Sequence, residues 1–188
     1  MGNNNSLSVL TEDLLEEYTI LTYLSKGEIL HLYKVFSRLA PNGILGDLNW
    51  RFPCENLEEI FTQLKYNPFK DRIFRVFSSQ KDGLMSFEDV LDLCSVMSER
   101  CPDKVKAAWA FQIFDFDEDE AVGTEDLMNV IKRLTSSAGF ISETDQKHII
   151  KILMNEMDLE LSGRVGIQEF VHAVGKMSEF PHSFCFKF

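Results

Sequence analysis

Acidic side chains recur in a fixed frame between positions 115 and 126 of this 188-residue chain. Aspartates stand at positions 1, 3, 5 and 12 of that twelve-residue stretch, and Val122 stands at position 8. Carboxylate oxygens are the ligands that hard divalent cations such as Ca²⁺ and Mg²⁺ prefer. The frame therefore predicts a cation site. Its predicted side-chain ligands are Asp115, Asp117, Asp119 and Asp126, with the backbone carbonyl of Ala121 as a further ligand.

The same frame returns between Asp158 and Glu169, and two chance acidic turns would not explain this repetition. Gly163 occupies position 6 of the second stretch and Val165 occupies position 8. This order of ligands, with a glycine at the sharp turn, is typical of the EF-hand loop. We expect Val122 and Val165 to pair as a short antiparallel bridge. The predicted ligands here are Asp158, Glu160, Ser162 and Glu169, with the carbonyl of Arg164.

An EF-hand loop needs an amphipathic helix on each side. Apolar residues at helical spacing flank both acidic loops, and two further helix–loop–helix patterns precede them. The first of these has a loop at 41–56, stretched by an insertion and without a ligand frame. The second has a loop at 78–89, where Ser78 and Gln80 replace the acids at positions 1 and 3 and Lys81 adds opposing charge. We number the loops 1 to 4 in chain order and expect loops 1 and 2 to bind no metal.

Local start signals support the predicted helices. Ser25 followed three residues later by Glu28 forms a capping box. Asn67 followed by Pro68 is typical of a cap with proline at the first helical position. Ser142 is a further cap before the fourth unit. The predicted fold is therefore all-α, with four EF-hand units in two paired lobes and short β-bridges between paired loops.

This fold divides the chain into four predicted parts. Residues 1–10 form a flexible N-terminus, 11–98 a first EF-hand pair with degenerate loops, 99–178 a second pair with metal-binding loops, and 179–188 an aromatic tail.

Loops 3 and 4 keep the ligand frame unequally. Loop 3 ends in Asp126, which is one methylene shorter than the usual glutamate and suits the smaller Mg²⁺ as well as Ca²⁺. Its position 6 is Glu120, where a positive φ costs a residue with a Cβ about 1 kcal/mol or more. Loop 4 keeps Gly163 and a potentially bidentate Glu169, although Glu160 is longer than the usual aspartate. We expect loop 4 to be the better Ca²⁺ site and loop 3 to accept Mg²⁺ or Ca²⁺.

The composition excludes several classes of protein. Thirty acidic residues against nineteen basic ones give a formal charge of −11, which repels nucleic-acid phosphates. The four cysteines and four histidines are dispersed, and no catalytic motif is present. No apolar run approaches the roughly 18–20 residues that span a bilayer. We therefore expect no nucleic-acid partner, no catalysis and no membrane-spanning helix.

The first six residues match the pattern for N-myristoylation, with Gly2 as the acceptor. A single myristoyl chain binds a membrane only weakly and reversibly, and no basic cluster follows it. Stable attachment would therefore need a partner embedded in the membrane.

The C-terminal segment ends in alternating phenylalanines, Phe184, Phe186 and Phe188. They could cap the core permanently, or they could lie in a hydrophobic groove as a displaceable plug, because exposed they would promote aggregation. The residues expected to form that groove are Phe111, Phe114, Val130, Ile150, Leu153, Phe170 and Val174.

A further set of short segments is spread along the chain. It consists of the myristoylation start, the turn at 21–24, the segments 67–70, 75–78, 86–89 and 113–117, and the aromatic tail. Together these segments resemble the calcium- and integrin-binding protein family, along essentially the whole chain. The aspartate at position 12 of loop 3 is itself a habit of that family.

The resemblance implies a myristoylated protein with two empty loops and a groove for an amphipathic helix. It implies a partner in the cytoplasmic segment of a membrane protein, either an integrin α tail or a subunit of the transmembrane channel-like mechanotransduction complex. We therefore expect a non-enzymatic adaptor or auxiliary subunit at the inner face of the plasma membrane. The alternative is a regulatory subunit of a soluble phosphatase or kinase, similar to calcineurin B, because both classes would use such a groove.

Overall fold

The computed structural model describes residues 10–39, 48–58, 61–136, 139 and 141–185. The predictions made for Gly2, Phe186 and Phe188 lie outside the described residues, and so does part of loop 1.

Within the described residues the chain forms ten helices and one small sheet, and the all-α prediction is confirmed. In chain order the elements are α1 (Glu12–Leu21), α2 (Lys26–Leu39), β1 (Phe52–Pro53), α3 (Cys54–Glu58), α4 (Lys70–Phe77), β2 (Leu84–Met85), α5 (Phe87–Val96), α6 (Asp103–Phe114), α7 (Thr124–Thr135), α8 (Glu143–Met157), α9 (Ile167–Val174) and α10 (Phe180–Ser183).

Two of the three start signals lie where the sequence predicts them. The Ser25 N–H donates to Glu28 Oε2 at 2.7 Å, and the Glu28 N–H donates to Ser25 Oγ at 3.3 Å. Ser142 Oγ accepts a hydrogen bond from the backbone N–H three residues on. The helix predicted to begin at Pro68 begins instead at Lys70, because Asn67 Oδ1 accepts from the N–H two residues on and closes a turn first.

The loops pair through short bridges in both lobes. Val122 and Val165 exchange two backbone hydrogen bonds of 2.9 and 3.0 Å, which confirms the predicted pairing of position 8 in loops 3 and 4. In the first lobe, Phe52 pairs with Met85, which is position 8 of loop 2. Phe52 is therefore the bridge residue of loop 1.

Helix α6 connects two clusters of buried side chains. The first cluster is built around α1–α5 and is rich in rings, with the fully buried Phe87 at its centre. The second is built around α7–α9 and the buried Val122 and Val165. Phe114 at the end of α6 packs against both clusters, and loop 3 starts at the next residue. The start of loop 3 is thus held where the two cores meet.

Candidate metal centre and apolar groove

Loop 3 brings three carboxylates together. Ligand oxygens of Asp115, Asp117 and Asp126 all lie within 4.8 Å of one another. Asp115 and Asp126 are buried, whereas Asp117 is exposed. Two buried carboxylates at this separation repel each other unless a cation neutralises them. The donor set therefore fits a hard divalent cation, and these three residues would hold it.

Backbone N–H groups orient the two buried carboxylates. Asp115 accepts from the N–H groups of Asp119 at 3.2 Å and Glu120 at 3.0 Å. Asp126 accepts from Phe116 and Gly123, each at 2.9 Å. Burial raises the pKa of Asp115 above its ordinary value, although its backbone hydrogen bonds oppose that shift. These backbone hydrogen bonds thus fix the direction of the carboxylate oxygens.

The fourth predicted ligand of this loop, Asp119, is engaged elsewhere. Its Oδ2 accepts from Arg164 Nη1 at 2.7 Å, and its Oδ1 accepts from the Ala121 N–H at 3.0 Å. Arg164 belongs to loop 4, so the pairing of the two loops delivers this arginine to loop 3. Arg164 thus competes with a metal ion for the negative charge of Asp119.

All three described loops share one backbone shape. Positions 4 and 6 have positive φ in each of them, and the position-6 value for Glu120 is +66°. The left-handed conformation predicted for Glu120 is therefore present, and glycine holds the same position in loops 2 and 4. The position-4 residues are Lys81, Glu118 and Leu161, and the other position-6 residues are Gly83 and Gly163.

Loop 4 repeats at Glu169 the backbone hydrogen bonds that loop 3 makes to Asp126. Glu169 Oε1 accepts from the N–H groups of Leu159 and Glu160 at 2.8 and 3.0 Å, and Oε2 accepts from Gly166 at 2.9 Å. These bonds, led by the one from Gly166, lower the pKa of Glu169. Ser162 Oγ donates to the Arg164 carbonyl at 2.8 Å. Among the described residues, this loop forms no cluster of three carboxylates.

Arg72 supports loop 3 from the first lobe, and sequence reasoning missed it. This α4 side chain is buried, and its Nη2 donates to the carbonyl oxygens of Gln112 at 2.9 Å and Asp115 at 2.5 Å. It thereby binds carbonyls at the C-terminal end of α6, where a positive charge also complements the helix dipole. The one available signal was an arginine on the same helix face as Phe69 and Val76.

Glu118 completes this link between the lobes. It accepts from Arg75 at 2.6 Å, from Arg72 at 3.1 Å and from Lys81 at 3.3 Å. The hydrogen bond from Arg75 is the main reason that the pKa of Glu118 falls to about 2, with burial opposing the shift and Arg72 and Lys81 adding to it. Loop 3 is therefore tied to α4 and to loop 2.

An apolar cavity of about 450 Å³ lies between α6, α7, α8, α9 and the segment before α4. Five of the seven predicted groove residues line it, whereas Phe111 and Ile150 lie in the core rather than in its wall. We call this cavity the apolar groove. The predicted residues in its wall are Phe114, Val130, Leu153, Phe170 and Val174.

The C-terminal segment forms part of the groove wall. It contains the short helix α10, which the sequence analysis did not predict within the aromatic tail at 179–188. Phe180 and Phe184 stack with ring centroids 5.6 Å apart, and both line the groove. The buried Lys106 contacts this segment through Cys185 Sγ at 2.8 Å and the Pro181 carbonyl at 3.4 Å. Apolar and polar contacts together hold the segment in place.

The paired helix–loop–helix units, the bridges at position 8 and the carboxylate cluster define an EF-hand protein. A family profile described as an EF-hand domain pair matches residues 104–175, which contain loops 3 and 4. None of the described helices is long and apolar enough to cross a membrane.

Comparison with known proteins identifies the family within the EF-hand proteins to which the chain belongs. The chain is 33% identical over 186 residues to calcium and integrin-binding family member 2 of Drosophila melanogaster, covering 96% of this chain and 97% of that protein. It is 32% identical over 191 residues to member 2 of Homo sapiens, covering 98% of both. It is also 32% identical over 188 residues to member 3 of Homo sapiens, with the same coverage. The chain belongs to the calcium and integrin-binding family.

Proposed function

We propose that this protein is a non-enzymatic adaptor whose apolar groove binds one face of an amphipathic helix. The observation that carries the proposal is the groove itself, which is lined almost wholly by apolar side chains. Leu134 and Met177 line it and are 55% and 51% exposed, so apolar surface is available to a partner. Laying the apolar face of a helix into such a groove is a common mode of peptide recognition.

The partner is the cytoplasmic segment of a membrane protein. The relatives are named for integrin binding, which favours an integrin α tail as the partner over a subunit of a transmembrane channel-like complex. Myristoylation at Gly2 supplies a second, weak attachment to the inner face of the plasma membrane. The adaptor therefore acts at that face with the partner helix as its main anchor.

Divalent cations set the shape of the apolar groove. Loops 3 and 4 begin at the ends of α6 and α8 and end at the starts of α7 and α9, and these four helices line the groove. Ca²⁺ in loop 4, and Mg²⁺ or Ca²⁺ in loop 3, would fix the angles between the helices. Cation binding then sets the width of the groove.

The test is binding of a synthetic integrin α-tail peptide to the double variant Leu134→Gln, Met177→Gln. Both residues are half exposed, so the fold should survive the change, which circular dichroism checks. We expect peptide affinity to fall on the order of ten-fold or more, because each leucine or methionine side chain contributes about 1.5–3 kcal/mol when fully buried. The matched control is Ile20→Gln, an α1 residue that is 83% exposed and does not line the groove. Unchanged affinity in the folded double variant would contradict the proposal.

A further inference from the structure

The side chain of Arg51 enters loop 2. Its Nη2 lies 3.0 Å from Ser78 Oγ, 2.7 Å from Asp82 Oδ1 and 2.6 Å from the Leu84 carbonyl oxygen. The same nitrogen lies 3.8 Å from Asp89 Oδ2. These four residues stand at positions 1, 5, 7 and 12 of the loop. One nitrogen of Arg51 therefore contacts oxygens at four of the positions from which an EF-hand binds its cation.

Loop 2 keeps the geometry of a cation-binding loop although it has lost two acids. Asp89 accepts from the N–H groups of Ser79 at 3.1 Å and Ser86 at 2.9 Å, as Asp126 does from the matching residues of loop 3. Gly83 has a φ of +79°, close to the +80° of Gly163. The backbone of loop 2 is therefore folded like those of loops 3 and 4, and loop 2 differs from them in its side-chain ligands.

The acids that remain in loop 2 can be neutralised in part by the single positive charge of one guanidinium. Asp82 and Asp89 are the acids that face Arg51, and Ser78 and the Leu84 carbonyl contribute neutral oxygens. The side chain of Arg51 is 13% exposed and that of Asp89 is 5% exposed, so solvent screens their attraction only weakly. Among the described residues the Nε of Arg51 is buried without a hydrogen-bond partner, so the Nη groups alone hold the guanidinium.

The pairing of the loops explains how an arginine reaches this place. Arg51 directly precedes Phe52, the bridge residue of loop 1, and therefore stands at position 7 of that loop. Arg164 stands at position 7 of loop 4 and reaches Asp119, at position 5 of loop 3. Both arginines thus contact the position-5 acid of the partner loop. In the second lobe Arg164 is 62% exposed, whereas Arg51 is inserted among the loop oxygens.

We propose that loop 2 is a cation site whose resident cation is the guanidinium of Arg51. The arginine holds the loop in its cation-bound shape without Ca²⁺ or Mg²⁺. The first lobe is therefore ordered at any calcium concentration, while loops 3 and 4 respond to divalent cations. This inference concerns a different lobe from the apolar groove test and stands or fails separately from it.

Hydrogen–deuterium exchange on the full chain tests the proposal, since it reports on residues 78–89 separately from loops 3 and 4. In the wild type, protection of these amides should be the same in EDTA and in millimolar Ca²⁺. Arg51→Met keeps the length of the side chain and removes its charge. In EDTA this variant should lose protection on the order of ten-fold, since hydrogen bonds to a charged group are the strong ones. Millimolar Ca²⁺ or Mg²⁺ should restore part of that loss.

The matched control is Arg38→Met, which removes an exposed arginine from α2 and should leave protection of residues 78–89 unchanged. Unchanged protection in Arg51→Met would overturn the proposal. So would a loss that neither ion restores, because Arg51 would then act through hydrogen bonds alone.

If Arg51→Met does not fold, Asp82→Asn is a second test, because it weakens the site while the arginine stays in place. Protection of residues 78–89 should then fall several-fold in EDTA, and no change would overturn the proposal.

Discussion

At the scale of the single residue, the backbone of loop 3 stores strain at Glu120. A side chain with a Cβ costs about 1 kcal/mol or more at the observed φ of +66°. Glu120→Gly removes this cost from the cation-bound loop, so cation affinity should rise about five-fold, because about 1 kcal/mol corresponds to that factor in an equilibrium constant. Calorimetric titration with Ca²⁺ and Mg²⁺ measures the change.

The substitution also removes a negative charge, so Glu120→Gln is the matched control. It loses the same charge but keeps the Cβ. Stronger binding in the glycine variant than in the glutamine variant isolates the backbone effect. Equal affinities would show that strain at this residue does not limit binding.

At the scale of the element, loops 3 and 4 differ in the feature that favours cation binding: loop 3 has more clustered negative charge, and loop 4 has the less strained backbone. Loop 3 has a cluster of three carboxylates, whereas loop 4 has Gly163 at its turn and the longer Glu169 at position 12. We expect loop 4 to bind Ca²⁺ more tightly, because a bidentate glutamate suits the large ion. Glu169→Gln should remove the tighter event seen by calorimetry, and Asp126→Asn the weaker one. The reverse assignment would contradict the prediction.

Helix α4 supports loop 3 through a buried arginine, which offers a test of coupling between the lobes. Arg72→Met should lower the free energy of unfolding by about 3 kcal/mol, because removing one partner of a buried pair leaves polar groups unsatisfied. Arg75→Met is the matched control. It contacts the same Glu118 but is 47% exposed, so solvent screens the contact and its loss should lower the free energy of unfolding much less.

Urea denaturation of the cation-free protein measures both variants of α4. Equal losses from Arg72→Met and Arg75→Met would show that Glu118, rather than the carbonyls at the end of α6, is the contact that matters.

At the scale of the whole molecule, we predict that the C-terminal segment and a partner helix compete for the apolar groove. Phe180 and Phe184 lie in its wall, and each phenylalanine contributes about 1.5–3 kcal/mol when fully buried. Deleting residues 180–188 should therefore raise the affinity for an integrin α-tail peptide and increase binding of a hydrophobic dye to the free protein. Isothermal titration and dye fluorescence measure these effects.

A control separates this competition from simple loss of structure. The wild type and the deletion variant are compared by thermal denaturation with and without the peptide. Unchanged peptide affinity together with a large loss of stability would show that the segment is permanent core.

Much of the second lobe could be predicted because its signals are local. The ligand frames, the Val122–Val165 bridge, the left-handed turn at Glu120 and the Ser142 cap each depend on residues within a dozen positions or on a repeated frame. The length of an EF-hand loop allows few backbone shapes, so the order of residues alone determines which carboxylates can converge. The start of α4 was missed by two residues because the Asn67 turn and a helical cap have similar sequence signals.

The tertiary structure alone decided what surrounds those loops. Arg51, Arg72 and Arg164 each act on a loop that lies far from them in the chain or in another unit, and no periodicity marks such pairs. The same holds for Phe111 and Ile150, which belong to helices that line the groove but face the core. The sequence predicted which loops carry the ligands for a divalent cation. The packing of helices and the pairing of loops decided which charge reaches each loop, because contacts between elements depend on how their faces meet.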